Sequence, residues 1–135
     1  MEKIFHFDSP REHYTADACV LSCYDARFTQ AVRKFLKRQS IQTFDHIQIP
    51  GSAKALAAPG PECDFVLGAI RTSKRLHGTT RLLLLAHAEC GAYGGAPTDT
   101  IVADVTRAAG VVLASEPSLV VECYFCDFDG IYRIQ

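Results

Sequence analysis

Residues 81–86 read Arg-Leu-Leu-Leu-Leu-Ala. Strand side chains alternate between two faces, so four successive leucines demand burial on both. Such a run suits a central strand of a parallel sheet with helices above and below. Upstream, Ala18 to Cys23 (Ala-Cys-Val-Leu-Ser-Cys) is a second apolar, β-prone run and reads as a buried strand. Phe28 to Gln39 follows with helical periodicity: Ala31, Val32, Phe35 and Leu36 share one face, and Arg33, Lys34, Lys37 and Arg38 fall mostly on the other. Phe44 to Ile49 is the next strand, stopped by Pro50-Gly51. Pro59-Gly60-Pro61 leads into a helix over Glu62 to His77, with Gly78 placed as its C-terminal cap. Downstream, Thr98 or Asp99 caps a third helix reaching Ser115, and Leu119 to Asp127 is a further strand. Asp129-Gly130 signals a turn, after which Ile131 to Ile134 can pair briefly. The βαβαβαβ rhythm predicts an α/β fold: a mostly parallel sheet flanked by helices. Residues 1–135 are read as one domain, a length that supports one core but not two.

Composition excludes several functions. A hydrophobic fraction of 48% with 21% charged residues is that of a globular chain. Lysine and arginine total 14 against 15 acidic residues, a net charge of -1, so nothing electrostatic points to a nucleic acid or an anionic membrane. The longest apolar run, Leu82 to Ala86, is too short to cross a bilayer. The opening Met-Glu-Lys-Ile-Phe-His-Phe-Asp lacks a basic segment followed by an apolar stretch, and no secretory signal is expected. Six cysteines in that context suggest a reducing, cytoplasmic location, where they serve as ligands, nucleophiles or core residues.

Ligands of parallel sheets bind beyond the carboxyl ends of the strands, where the winding direction reverses. Two loops at such ends carry unusual chemistry, Cys23-Tyr24-Asp25-Ala26-Arg27 and His87-Ala88-Glu89-Cys90-Gly91. If the chain stays extended past Cys23, then Cys23, Asp25 and Arg27 project to one side, and Arg27 can hold Asp25 ionised through a bidentate pair. The two residues between His87 and Cys90 allow a turn that brings both to one ion. Cys23, His87 and Cys90 supply two thiolates and an imidazole, a set that suits one tetrahedral Zn2+ per chain. Three protein ligands leave one position open, as in catalytic zinc sites.

The remaining candidates read as structural. Cys123-Tyr124-Phe125-Cys126 has CxxC spacing, but in a strand its thiols face opposite ways, so packing is expected. Cys19 reads as core, and His6, His13, His46 and His77 as surface or hydrogen-bonded positions, with His46 a remote candidate for proton transfer. The basic residues of the first helix read as a solvated face.

The two loops resemble the Cys-x-Asp-x-Arg and His-x-x-Cys-Gly motifs of the β-class carbonic anhydrases, in motif order and separation as well as in residues. The resemblance implies a β-carbonic-anhydrase-like zinc domain in which Cys23, His87 and Cys90 are the metal ligands and Asp25 and Arg27 a catalytic dyad beside them, with Asp25 either paired to Arg27 or, released from it, a fourth ligand. It implies a homodimer or higher homo-oligomer with the site near the subunit interface. The implied activity is reversible hydration of carbon dioxide to bicarbonate by hydroxide that the zinc makes available. Two thiolates offset the charge of the ion, so activity rising toward alkaline pH is expected. Two departures stand out: Ala26 replaces the usual Ser, and Ile49-Pro50-Gly51-Ser52-Ala53 lies where the family often has Arg-Asn-Ala-Gly, with only Gly51 corresponding. Because these departures fall on the pocket wall, the alternatives are a hydrolase of carbonyl sulfide or carbon disulfide, or a non-catalytic zinc-binding relative.

Overall fold

The computed structural model describes residues 1–135. The strands are β1 (Ala18–Ser22), β2 (Phe44–Gln48), β3 (Arg81–His87), β4 (Val120–Cys126) and β5 (Ile131–Arg133). The helices are α1 (Ala26–Arg38), α2 (Pro61–His77) and α3 (Thr98–Ser115). Short 3-10 turns occupy Ser52–Leu56 and Gly91–Tyr93.

The strands form one sheet in the order β2-β1-β3-β4-β5, with the leucine-rich β3 at its centre. Only β5 runs antiparallel, paired with β4 by Tyr124↔Arg133 and Cys126↔Ile131. Alternation in β3 divides the core as its sequence requires. Leu82 and Leu84 pack with Val66 and Ile70 of α2 and Val105 and Val112 of α3. Leu83 and Leu85 face the other way, onto Phe28, Val32 and Leu36 of α1. The exposed Arg33, Lys34, Lys37 and Arg38 lie outside this apolar stripe.

The chain winds from β1 outward to β2, then crosses back over β1 to β3. Right-handed crossovers require the connecting helix to change faces at that reversal. Accordingly, α1 covers one face, and α2 and α3 the other. The carboxyl ends of β1 and β3 are therefore neighbours at the switch point, and the two motif loops leave from them.

The observed elements differ from the sequence expectations mainly at their ends. The strand β1 stops at Ser22, and α1 begins at Ala26 rather than Phe28. Asp25 is the cause: its side chain accepts the Arg27 N–H at 3.0 Å, capping the helix two residues early. The extended geometry expected through Cys23, Asp25 and Arg27 is thus replaced by a helical turn. For α3, Thr98 is already helical and Pro97 takes the cap position without a side-chain bond. Gly78 ends α2 as expected, left-handed at φ 66° and donating to the Lys74 carbonyl.

Candidate metal centre

His87 is the last residue of β3, on the face that looks toward α1. Its ring packs 4.7 Å from that of Phe28. Nδ1 lies 2.7 Å from the Ala88 carbonyl oxygen, a contact that requires the proton on Nδ1. The lone pair is then on Nε2, which is buried and has no hydrogen-bond partner. A buried imidazole nitrogen left unpaired is costly unless something fills its lone pair.

Two sulfurs flank that nitrogen. The Cys23 and Cys90 Sγ atoms are 4.0 Å apart, and all three donor atoms lie within 4.8 Å of one another. Two zinc–sulfur bonds of about 2.3 Å at the tetrahedral angle would put the sulfurs about 3.8 Å apart. All six cysteines are free thiols, including this pair. Burial and the neighbouring Cys23 sulfur push the Cys90 thiol up, so the pair resists double ionisation without a cation. The backbone amides of Ala92 and Gly51 act in the opposite sense and favour its thiolate. By donor type, separation and orphaned nitrogen, Cys23, His87 and Cys90 could hold a metal ion.

Gly51 approaches the centre from the segment after β2. It is left-handed at φ 73°, and a Cβ there would lie 3.2 Å from the Ala92 and Lys54 Cβ atoms. Gly51 therefore lets its segment pack closely on Ala92, next to Cys90, a role invisible in a list of donor side chains.

Asp25 and Arg27 sit beside the three donors. Arg27 Nε lies 3.1 Å and 3.2 Å from the two Asp25 carboxylate oxygens, and Nη2 lies 2.7 Å from Oδ2. These hydrogen bonds hold the Asp25 carboxyl down at about 2, so it is a carboxylate throughout the neutral range. Asp25 Oδ2 is also 3.9 Å from His87 Nε2, on the metal side of the ring. The cleft over the centre, about 640 Å3, is lined by Tyr24, Ala26, Pro50, Gly91 and Ala92 as well as by Cys23, Asp25 and Cys90.

The other candidates lie away from this cluster. Cys123 packs with the α2–α3 core, whereas Cys126 packs on the α1 face, as alternation demands. Cys19 is buried, with its thiol pushed up by burial to about 11. His77 Nδ1 pairs with Asp45 at 2.8 Å, His13 Nε2 meets the Leu76 carbonyl at 2.8 Å, and His46 Nε2 meets Ser22 Oγ at 2.7 Å. Two further residues meet Arg27: Glu89, whose place between His87 and Cys90 allows a hydrogen bond near the centre, and Phe128 of the β4–β5 hairpin, which the sequence does not signal.

Comparison with known proteins bears on the family and the fold. The sequence of a family described as "Putative carbonic anhydrase" matches residues 14–133. A carbonic anhydrase from Streptococcus mutans superposes with a TM-score of 0.71 at 12% identity, over 96% of this chain and 89% of that one. The β-carbonic anhydrase isoform I of the protozoan Trichomonas vaginalis gives 0.67 at 9% identity, over 96% and 87%. The apo form of a carbon disulfide hydrolase gives 0.54 at 12% identity, over 91% and 81%. No curated protein sequence matches significantly. At these identities the solved structures establish the fold alone. With the match spanning most of its residues, the chain belongs to the carbonic-anhydrase family of β-class fold.

Proposed function

We propose that the chain, one zinc domain over residues 1–135, catalyses the reversible hydration of carbon dioxide to bicarbonate. The observation that carries this reading is the convergence of Cys23, His87 and Cys90 around the unpaired His87 Nε2, in a chain of this family. A zinc ion held by these residues would supply Lewis acidity that makes hydroxide available from water near neutral pH.

The chain's own residues supply the rest. Asp25 stays ionised and its Oδ2 faces the metal side of His87, so it can accept a hydrogen bond there and aim the nucleophile's lone pair. Arg27 fixes that carboxylate through its fork and the helix cap. The Nδ1–H bond to Ala88 sets the tautomer that keeps Nε2 available to the ion. Tyr24, Pro50 and Ala92 wall the cleft through which a small, linear, uncharged substrate enters.

A hydrolase of carbon disulfide or carbonyl sulfide is the second reading. It is favoured by the fold match to a carbon disulfide hydrolase and by the Ile49–Ala53 segment, which carries no arginine or asparagine. Both substrates are electrophilic at a central carbon, so the same residues would serve. Rates of carbon dioxide hydration and carbon disulfide hydrolysis on one zinc-loaded preparation separate the two. The first reading predicts that hydration dominates; dominance of hydrolysis would install the second. We further propose that the chain works in the cytoplasm as a homodimer or higher homo-oligomer. The exposed apolar side chains of Ile4, Phe5, Phe7 and Phe65 support self-association.

A further inference from the structure

Arg27 is engaged from more sides than a simple dyad with Asp25 requires. Beyond the Asp25 fork, its Nη1 donates to Glu89 Oε2 at 3.3 Å, and Nη2 donates to the Glu89 carbonyl at 3.2 Å. Its Cζ lies 5.3 Å from the centroid of the Phe128 ring and 5.7 Å from that of Phe28. Glu89 is a non-glycine residue held left-handed at φ 52°, between His87 and Cys90. A left-handed conformation costs an L-residue energy and persists only where its surroundings impose it. Here one residue presents both its carbonyl and its carboxylate to the same guanidinium. Phe128 comes from the hairpin between β4 and β5. It is 59% exposed and lies tilted against Phe28, centroids 5.3 Å apart, and Phe28 in turn lies against His87.

We propose that Glu89 and Phe128 are positioning residues: they hold Arg27 in the orientation that keeps the Asp25 carboxylate off the metal. The argument rests on the metal-centre reading above. Asp25 has two competing partners: the Arg27 fork, and an ion held at His87 Nε2, a nitrogen that lies 3.9 Å from Asp25 Oδ2. Whatever orders Arg27 favours the first. Carboxylate and carbonyl contacts fix the far edge of the guanidinium, and the two aromatic faces fix its plane. A single exposed ion pair would fix neither. Removing the clamp leaves Asp25 bonded to a mobile arginine, and the carboxylate can then take the position that three protein ligands leave open on the ion. Glu89 and Phe128 thus set the ratio of open to blocked sites without touching substrate.

The test uses Co2+ in place of zinc and reads the visible spectrum, with azide as the probe of the open position. Phe128 is exposed, so Phe128→Ala leaves the core intact. The expected result is that Phe128→Ala combined with Glu89→Gln weakens azide binding about tenfold, and that each single change has a smaller effect in the same direction. Phe128→Tyr, which keeps the aromatic face, restores wild-type affinity. In an Asp25→Asn background the clamp substitutions no longer weaken azide binding, because no carboxylate remains to compete. Removing the negative charge of Glu89 would by itself tighten anion binding, so the sign separates the clamp from plain electrostatics. The proposal is overturned if the double variant binds azide as tightly as wild type or more tightly. It is equally overturned if the loss persists with Asn at position 25, which would route the effect through Phe28 and His87. Failure of the wild-type chain to show the intense thiolate-to-cobalt bands would instead remove the metal-centre reading itself.

Discussion

At the scale of single residues, the account divides metal retention from turnover. Cys23→Ser or Cys90→Ser removes a thiolate donor and should lower bound zinc to well under half of wild type, as measured by elemental analysis after dialysis. Asp25→Ala should keep the metal and lower kcat by about a hundredfold, the scale of a positioned proton acceptor. Loss of zinc from Asp25→Ala would make Asp25 a ligand instead. The pH profile discriminates as well. Arg27 holds Asp25 near 2, so Asp25 does not change charge between pH 5 and 9. Its folded pKa is depressed, so its contribution to stability is complete above the ordinary carboxylate range and is lost only as pH falls toward 2. The rise of activity toward alkaline pH then belongs to the nucleophile rather than to Asp25. A flat profile over roughly pH 6 to 9 would contradict hydroxide supply by the metal centre.

The elements place these residues, and most of them were legible. Leu82–Leu85 and Ala18–Leu21 are buried on both faces, and such runs have few alternatives to a central strand. The amphipathic helices and the Gly78 cap were readable for similar local reasons. The start of α1 was not, because the Asp25 carboxylate both faces the site and caps the helix, and the pattern Cys-x-Asp-x-Arg fits an extended chain as well as a helical turn. The 3-10 turn at Ser52–Leu56 was also missed. It depends on contacts made across the sheet, such as the Ser52 hydroxyl donating to the Leu21 carbonyl at 3.2 Å, and on the left-handed Gly51 before it. The consequence is testable. Gly51→Ala forces an L-residue into a left-handed position against Ala92, at a cost of about 1 kcal/mol or more. It should lower Tm by several degrees and weaken zinc retention, because Ala92 and the loop that carries Cys90 must shift; an unchanged metal affinity would detach Gly51 from the centre. Leu83→Ala, deep under α1, should cost about 2–5 kcal/mol in denaturant unfolding with the same fold in the survivors.

For the whole molecule, the reversal of winding between β1 and β3 is what brings the two motif loops together. The convergence of the three donors was legible because topology and sequence agree: two polar clusters follow two apolar strands, and parallel winding sets their ends side by side. The clamp around Arg27 was not, since Phe128 lies far along the chain and joins the site only when β5 turns back antiparallel on β4. Metal should therefore be coupled to the fold as a whole. Binding only the native state, zinc should raise Tm, and a chelator should lower it again, measurably by calorimetry. The self-association proposed above should appear as twice the 14.8 kDa chain mass, or more, in sedimentation equilibrium. The most direct test of the central claim is zinc content and stopped-flow carbon dioxide hydration measured on one preparation. The account predicts about one zinc per chain, as three donors around one position imply, with hydration that strengthens toward alkaline pH. Protein that carries no zinc, or carries it in full and hydrates no carbon dioxide, would contradict it.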